Sequence, residues 1–255
     1  EKTTGSMAAI FKTRANRKGF FTVQLYAIFV KFSGIGLIMA FSSITLPKTA
    51  FESIGPSECG IILASVWVIS SVFSMFLVDS LGRKALMAGT SLGCSITMFC
   101  AGLWFYLSAK TELDVENLSW IPFVSFIFHG LFYCLGLGPV GTAIKGELLS
   151  ADIRASASAL TTVVFALASV VLNQMYIPAA DYIGMYFNYW LLSANCLICF
   201  VFTLCVFVET KGKTLQEIQD KLGKKKNYKI KHVDLLANQK SEMNTSPLPE
   251  SKLTN

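Results

Sequence analysis

Six apolar runs, each about 20 residues long, alternate with short polar stretches along most of the chain. They fall at about 20–46, 59–78, 85–107, 121–144, 155–178 and 187–208. Roughly 20 residues rising 1.5 Å each cross the ~30 Å hydrocarbon layer of a bilayer, so each run predicts one membrane-spanning helix. The expected fold class is an all-α integral membrane protein. Residues 20–208 form its six-helix bundle, 1–19 read as the end of a polar, basic loop, and 209–255 as a polar tail. Within the tail, 214–222 predicts a short amphipathic helix. The following Lys224-Lys225-Lys226 reads as a solvated stretch at the membrane surface.

Two runs are interrupted. The first contains Phe32-Ser33-Gly34-Ile35-Gly36 and the fourth contains Leu135-Gly136-Leu137-Gly138-Pro139-Val140-Gly141. Divided into two triples, the six helices place these breaks in the first helix of each. Broken helices at corresponding places in two inverted three-helix repeats point to a binding site near the bilayer midplane. Glycines that only allow close packing are the plainer alternative, and Gly89-Thr90-Ser91-Leu92-Gly93 in the third run is read that way.

Composition supports the membrane reading. Hydrophobic residues make up 53% of 255 and charged residues only 15%, against about 25% charge in soluble domains. With both ends on one side, that side collects 19 of the 22 lysines and arginines, which places both termini in the cytosol by the positive-inside rule. The opposite loops carry Lys48 and Lys110 among several acids, and Asn117-Leu118-Ser119 as a glycosylation triplet in a short loop. The net charge of +6 describes two basic ends without interleaved aromatics, so no nucleic-acid partner is expected. The cysteines sit mostly inside apolar runs, and the one ligand-like spacing, Cys196-Leu197-Ile198-Cys199, falls mid-helix without partners, so neither disulfide nor metal nor cofactor is expected. No nucleophile, base and orienting group converge, which argues against an enzyme. The chain opens at Glu1 in polar sequence like a loop cut open, and is expected to be part of a longer protein.

Three mixed-charge clusters fall on the expected cytosolic side. Asp79-Ser80-Leu81-Gly82-Arg83-Lys84 joins the second and third runs through a turn too short and charged to lie in hydrocarbon. Glu147 and Arg154 flank the turn between the fourth and fifth runs, where they can face each other or that first turn. Glu209-Thr210-Lys211-Gly212-Lys213-Thr214 closes the sixth. Exposed ion pairs contribute only about 0–1 kcal/mol each, so they suit a latch that forms in one conformation better than they suit glue.

In order and spacing, these three clusters resemble the cytosolic signatures of the sugar porter family of the major facilitator superfamily, with Glu147 and Arg154 following Gly138-Pro139. Among its branches the chain is most similar to the insect facilitated trehalose transporter-like proteins, over about residues 14–222. The resemblance implies twelve helices in two six-helix bundles around a central cavity, with alternating access. The present chain corresponds to the C-terminal six, the N-terminal half being a required partner. It also implies a cavity lined by Lys31, Ser33, Gly34, Gly36, Trp67, Gly138, Pro139, Thr142 and Phe165, and a cytosolic gate of Asp79, Gly82, Arg83, Lys84, Glu147, Arg154 and Glu209.

The chain departs from the family at those binding positions. A Gln-Gln-x-Ser-Gly-Ile-Asn run, whose amides hold sugar hydroxyls in the family, reads Val30-Lys31-Phe32-Ser33-Gly34-Ile35-Gly36 here. Thr142 stands for a tryptophan, Trp67 for an asparagine, and Phe165-Ala166 for an asparagine-tryptophan pair. Lys31 lies well inside a span, where a lysine costs roughly 2.5–3.5 kcal/mol. Either it faces the cavity and favours an anionic or carbonyl-bearing solute or an acid in the other half, or it snorkels toward the cytosol. His129 reads as a hydrogen-bonding contact between helices rather than a proton relay. The expected function is facilitative transport of a small organic solute, a sugar by resemblance, across the plasma membrane. The alternatives are a non-transporting relative acting as a sensor or interaction partner, and a carrier for a non-sugar anion.

Overall fold

The computed structural model describes residues 7–45, 55–111 and 118–223. Over these the chain forms α1 (Met7–Lys12), α2 (Arg14–Lys31), α3 (Ile35–Thr45), α4 (Pro56–Leu81), α5 (Arg83–Lys110), α6 (Trp120–Phe132), a π-helical turn (Tyr133–Leu137), α7 (Gly138–Leu148), α8 (Ala151–Tyr182), α9 (Met185–Cys205) and α10 (Leu215–Gly223). Six spans are long and apolar enough to cross a membrane: Arg14–Phe41, Glu58–Val78, Arg83–Lys110, Trp120–Leu148, Ala151–Tyr182 and Met185–Cys205. These are the six predicted runs, lengthened at several ends by polar residues that still satisfy helix hydrogen bonds.

Three boundaries differ from expectation. The polar segment before residue 20 is helical where described, and Thr13 caps α2 by accepting from the Asn16 amide at 3.3 Å. The sixth apolar run continues to Val208, but its helix stops at Cys205. There the Lys84 ammonium donates to the Leu204 carbonyl at 2.9 Å, and Phe207 turns into the core. The short tail helix begins at Leu215, one residue later than predicted, behind Thr214, which accepts from the Glu217 amide at 3.3 Å.

The helices pack as two triples whose contacts correspond. The third helices of each, α5 and α9, form the most extensive contact. The second helix of each triple packs against the broken first helix of the other, α8 on α2 and α4 on α6 with its π-turn. Lipid gives apolar helices little reason to associate, so small and polar residues hold such seams. Ser95 and Ser193 exchange hydroxyl-to-carbonyl bonds at 3.0 and 2.8 Å, and a methyl at Gly102 would overlap the Trp190 indole. Gly93 lies under Phe132 and Gly136 under Thr90, whereas Gly89 faces open space, so only part of the predicted glycine seam packs closely. Two apolar cores result. One, around Tyr26, Leu137, Ile144 and Ile153, takes in Ile10 of α1 and Ile218 and Leu222 of α10; the other surrounds Leu63, Met98, Phe126 and Tyr189.

Both breaks release backbone carbonyls that hydrocarbon cannot satisfy, and neighbouring side chains supply the missing donors. At the first, Gly34 takes φ +90°, a conformation open to glycine, and packs against Leu192. The Ser33 hydroxyl donates to the Val30 carbonyl at 2.7 Å, and Asn195 of α9 donates to that of Phe29 at 2.9 Å. At the second, Ser74 of α4 reaches the Leu135 carbonyl at 2.9 Å, and Tyr26 of α2 donates to that of Leu137 at 2.5 Å.

His129 departs from its expected role. Its side chain is fully buried, yet neither ring nitrogen has a hydrogen-bond partner among the described residues; the contact with α5 is made by its backbone carbonyl, which accepts from the Cys94 thiol at 3.6 Å.

Candidate functional site

A cavity of about 210 Å³ opens between α2, α7 with its π-turn, and α8. Closed small-molecule sites usually measure roughly 300–1,000 Å³, so this is the size of one wall of such a site. Three strips build it, each on helical spacing: Val23, Tyr26, Ala27 and Val30 from α2; Gly138, Gly141, Thr142 and Lys145 from α7; and Thr162 and Phe165 from α8, with Tyr133 between them. The broken fourth helix turns two of its glycines into this wall: a Cβ at Gly141 would meet the Tyr26 ring of α2, and one at Gly138 the Tyr133 ring of the π-turn.

Of the residues predicted to line a cavity, the structure places Gly138, Thr142 and Phe165 on this wall. Lys31 reaches it indirectly. Its ammonium lies 5.0 Å from the centre of the Phe165 ring and 3.4 Å from where a Cβ at Gly36 would sit. Phe165 is fourteen residues along α8 from Ala151, about 21 Å at 1.5 Å per residue, so Lys31 does not snorkel back toward the basic end. A cation over a phenyl face gains roughly 0.5–2 kcal/mol, which does not match the ~2.5–3.5 kcal/mol cost of a lysine at the centre of a span.

The other predictions land elsewhere. Ser33 is fully buried and satisfies the Val30 carbonyl, Gly34 packs on Leu192, and the Pro139 carbonyl accepts from the Thr142 hydroxyl at 2.8 Å. Trp67 is buried against Gly130, where a methyl would overlap its indole, and serves the α4–α6 seam. The pairing of a bulky ring with a glycine decides its place, not alignment with a polar cavity position.

Sequence reasoning missed Tyr26, Tyr133, Lys145 and Thr162. The signal was present in the three-and-four spacing of the α2 strip and of the α7 strip that starts in the second break. One amide does stand beside the cavity: Gln24 Nε2 donates to Thr161 Oγ1 at 2.8 Å across the α2–α8 seam, one residue from Val23.

At the basic end the three charged clusters converge. Gly82 takes φ +87°, and a Cβ there would come within 3.1 Å of Glu209 Oε2, so glycine both makes the turn and admits the carboxylate. Glu209 then caps α5, accepting from the amides of Arg83 and Lys84 at 3.1 and 3.0 Å, and from those of Thr210 and Lys211 at 2.9 Å each. Burial pushes its carboxyl pKa upward, and these four donors outweigh that, holding it below the ordinary carboxylate value. Lys211 donates to the Ser80 carbonyl at 2.5 Å, closing the end of α4. The choice left open for Glu147 resolves toward the first turn: Glu147 Oε1 pairs with Arg83 Nε at 3.1 Å, while Arg154 donates to the Leu149 carbonyl at 3.3 Å. Asp79 falls in the last turn of α4, and its side chain lies outside the described residues.

Residues 1–222 match the family model described as sugar (and other) transporter. The chain belongs to this sugar transporter family. Among curated relatives it is 33% identical over 194 residues to the facilitated trehalose transporter Tret1 of Drosophila willistoni, covering 76% of this chain and 22% of that one. Against Tret1 of Apis mellifera ligustica it is 29% identical over 217 residues, covering 85% and 42%. Among solved structures, a double tryptophan mutant of XylE superposes with a TM-score of 0.70 at 24% identity, covering 87% of this chain and 45% of that one. The inward-open xylose transporter XylE from E. coli gives 0.65 at 25% identity, covering 79% and 41%. The chain thus spans less than half the length of these relatives. As a sugar transporter family member with six apolar spans and the fold of a major facilitator protein, it is a multi-pass membrane protein.

Proposed function

We propose that this chain forms the C-terminal of two six-helix bundles of a facilitative carrier that moves a sugar across the plasma membrane by alternating access, its basic end in the cytosol. The observation that carries this reading is the half-cavity walled by α2, α8 and the broken α6–α7 helix, with an ionic clasp that holds the foot of the same α7 through Glu147. The names of the similar proteins, a trehalose transporter and a xylose transporter, support a sugar as solute. A wall of about 210 Å³ open along one side supports a second bundle as the partner that completes the site. The weakly buried, apolar α4 and α8, each 22% buried over their spanning windows, leave surface for lipid and for that bundle.

In this reading the Arg83–Glu147 pair and the Glu209 cap fix the α4–α5 turn to the foot of α7 and to the end of α9. A second bundle rocking against this rigid end closes the cytosolic mouth, and the clasp favours the outward-open state. The test is uptake of radiolabelled trehalose, glucose and xylose by the protein from its complete coding sequence in proteoliposomes. Saturable uptake supports the carrier reading; a correctly inserted protein that equilibrates none of these sugars sinks it and favours a non-transporting role.

A further inference from the structure

The cavity has an unusual balance of hydrogen-bonding groups. Its threonine hydroxyls are already committed as donors, Thr142 to the Pro139 carbonyl at 2.8 Å and Thr162 to the Ser158 carbonyl at 3.1 Å. Tyr26 likewise spends its proton on the Leu137 carbonyl. These oxygens remain acceptors, suited to the hydroxyl protons of a polyol. Beside the Tyr133 phenol, the donors available at the wall are two ammonium groups: Lys145, among its lining residues, and Lys31, whose Nζ lies 5.0 Å from the ring centre of the lining Phe165. No carboxylate lines the cavity, and among the described residues neither lysine pairs with one; the nearby Glu147 is held by Arg83.

We propose that this cavity selects a sugar acid, a polyhydroxylated solute bearing one carboxylate, over the corresponding neutral sugar, with Lys31 holding the anion and Lys145 adding a second cation. This deepens the carrier reading and rests on it. A carboxylate fits better than a phosphate because the wall offers separate ammonium points and no guanidinium fork among the described lining residues. The apolar strip of Val23, Ala27 and Val30 accommodates the carbon face of the same solute.

The experiment is uptake by the protein from its complete coding sequence, reconstituted in proteoliposomes at pH 7 with the membrane potential held at zero, using labelled glucuronate and galacturonate against glucose and trehalose. The wild type is expected to show a KM for glucuronate about tenfold or more below that for glucose, the scale of one charge-assisted hydrogen bond. Lys31→Gln is expected to erase that ratio and Lys31→Arg to keep it, with Lys145→Gln reducing it partway. Competition of glucuronate against glucose binding to purified protein gives the same ratio where a variant is too slow to assay. Transport of glucose or trehalose with no preference for the acids, or a ratio unchanged in Lys31→Gln, overturns the proposal and leaves the carrier reading standing. Absence of uptake of every sugar overturns both.

Discussion

At the scale of single residues, Glu209 gathers the most interactions at the basic end, accepting from four backbone amides. Its replacement by Ala removes the cap of α5, an expected loss of about 0.5–2 kcal/mol in thermal or denaturant unfolding in detergent. Because folding lowers the pKa of this carboxyl, its contribution is complete above the ordinary carboxylate range and fades as pH falls through the lower folded value. Wild type should therefore lose more stability than Glu209→Gln on acidification, and parallel curves would contradict the cap. Gly82→Ala strains the same turn twice, through φ +87° and through the approach of Glu209, and should destabilise it at least as much. Glu209 and Gly82 were legible in the sequence because charge and glycine have few uses at the end of an apolar run. Tyr26 and Thr162 were not, because a tyrosine or threonine in a span serves packing, capping and lining alike.

At the scale of elements, the two broken helices are possible because α4, α9 and α2 each lend a side chain to carbonyls the breaks expose. Tyr26→Phe removes the phenol donor from the Leu137 carbonyl, with an expected cost of about 0.5–1.5 kcal/mol in unfolding; Ser74→Ala does the same at Leu135. If these carbonyls matter for the π-turn, the double variant should cost less than the sum, as both brace one element. A strictly additive result would show that the turn stands without them. The positions of the breaks could be read from glycine and proline. Their braces could not, since Asn195 and Ser74 lie far from the breaks in sequence and look like ordinary polar residues in a span.

At the scale of the whole molecule, the clasp and the cavity meet on α7, which carries Glu147 and four of the lining residues, and the proposed carrier would couple the state of one to access to the other. Neutralising Arg83 or Glu147 is expected to raise labelling from the basic side of a cysteine placed at Thr142, and the charge exchange Arg83→Glu with Glu147→Arg to restore it. Unchanged labelling in both single variants would separate the clasp from gating. The magnitude is bounded: a pair still 18% and 26% exposed contributes about 1 kcal/mol, a severalfold shift in populations rather than complete conversion.

The sequence by itself determined the number of spans, their order, the two breaks and the turns that carry charge. Hydrocarbon enforces those features one segment at a time, through length, backbone satisfaction and the cost of charge. It did not determine which partner Glu147 takes, that Trp67 fills a glycine notch, or that the cavity runs along α2 and α8 from the second break rather than the first. These depend on how helices distant in sequence rotate about their axes, and that rotation is set by small residues, aromatic rings and stray carbonyls meeting across seams. Lys31 shows the division best: its cost inside a span is local and visible in the sequence, whereas its seat over Phe165 belongs to the packing of α2 against α8.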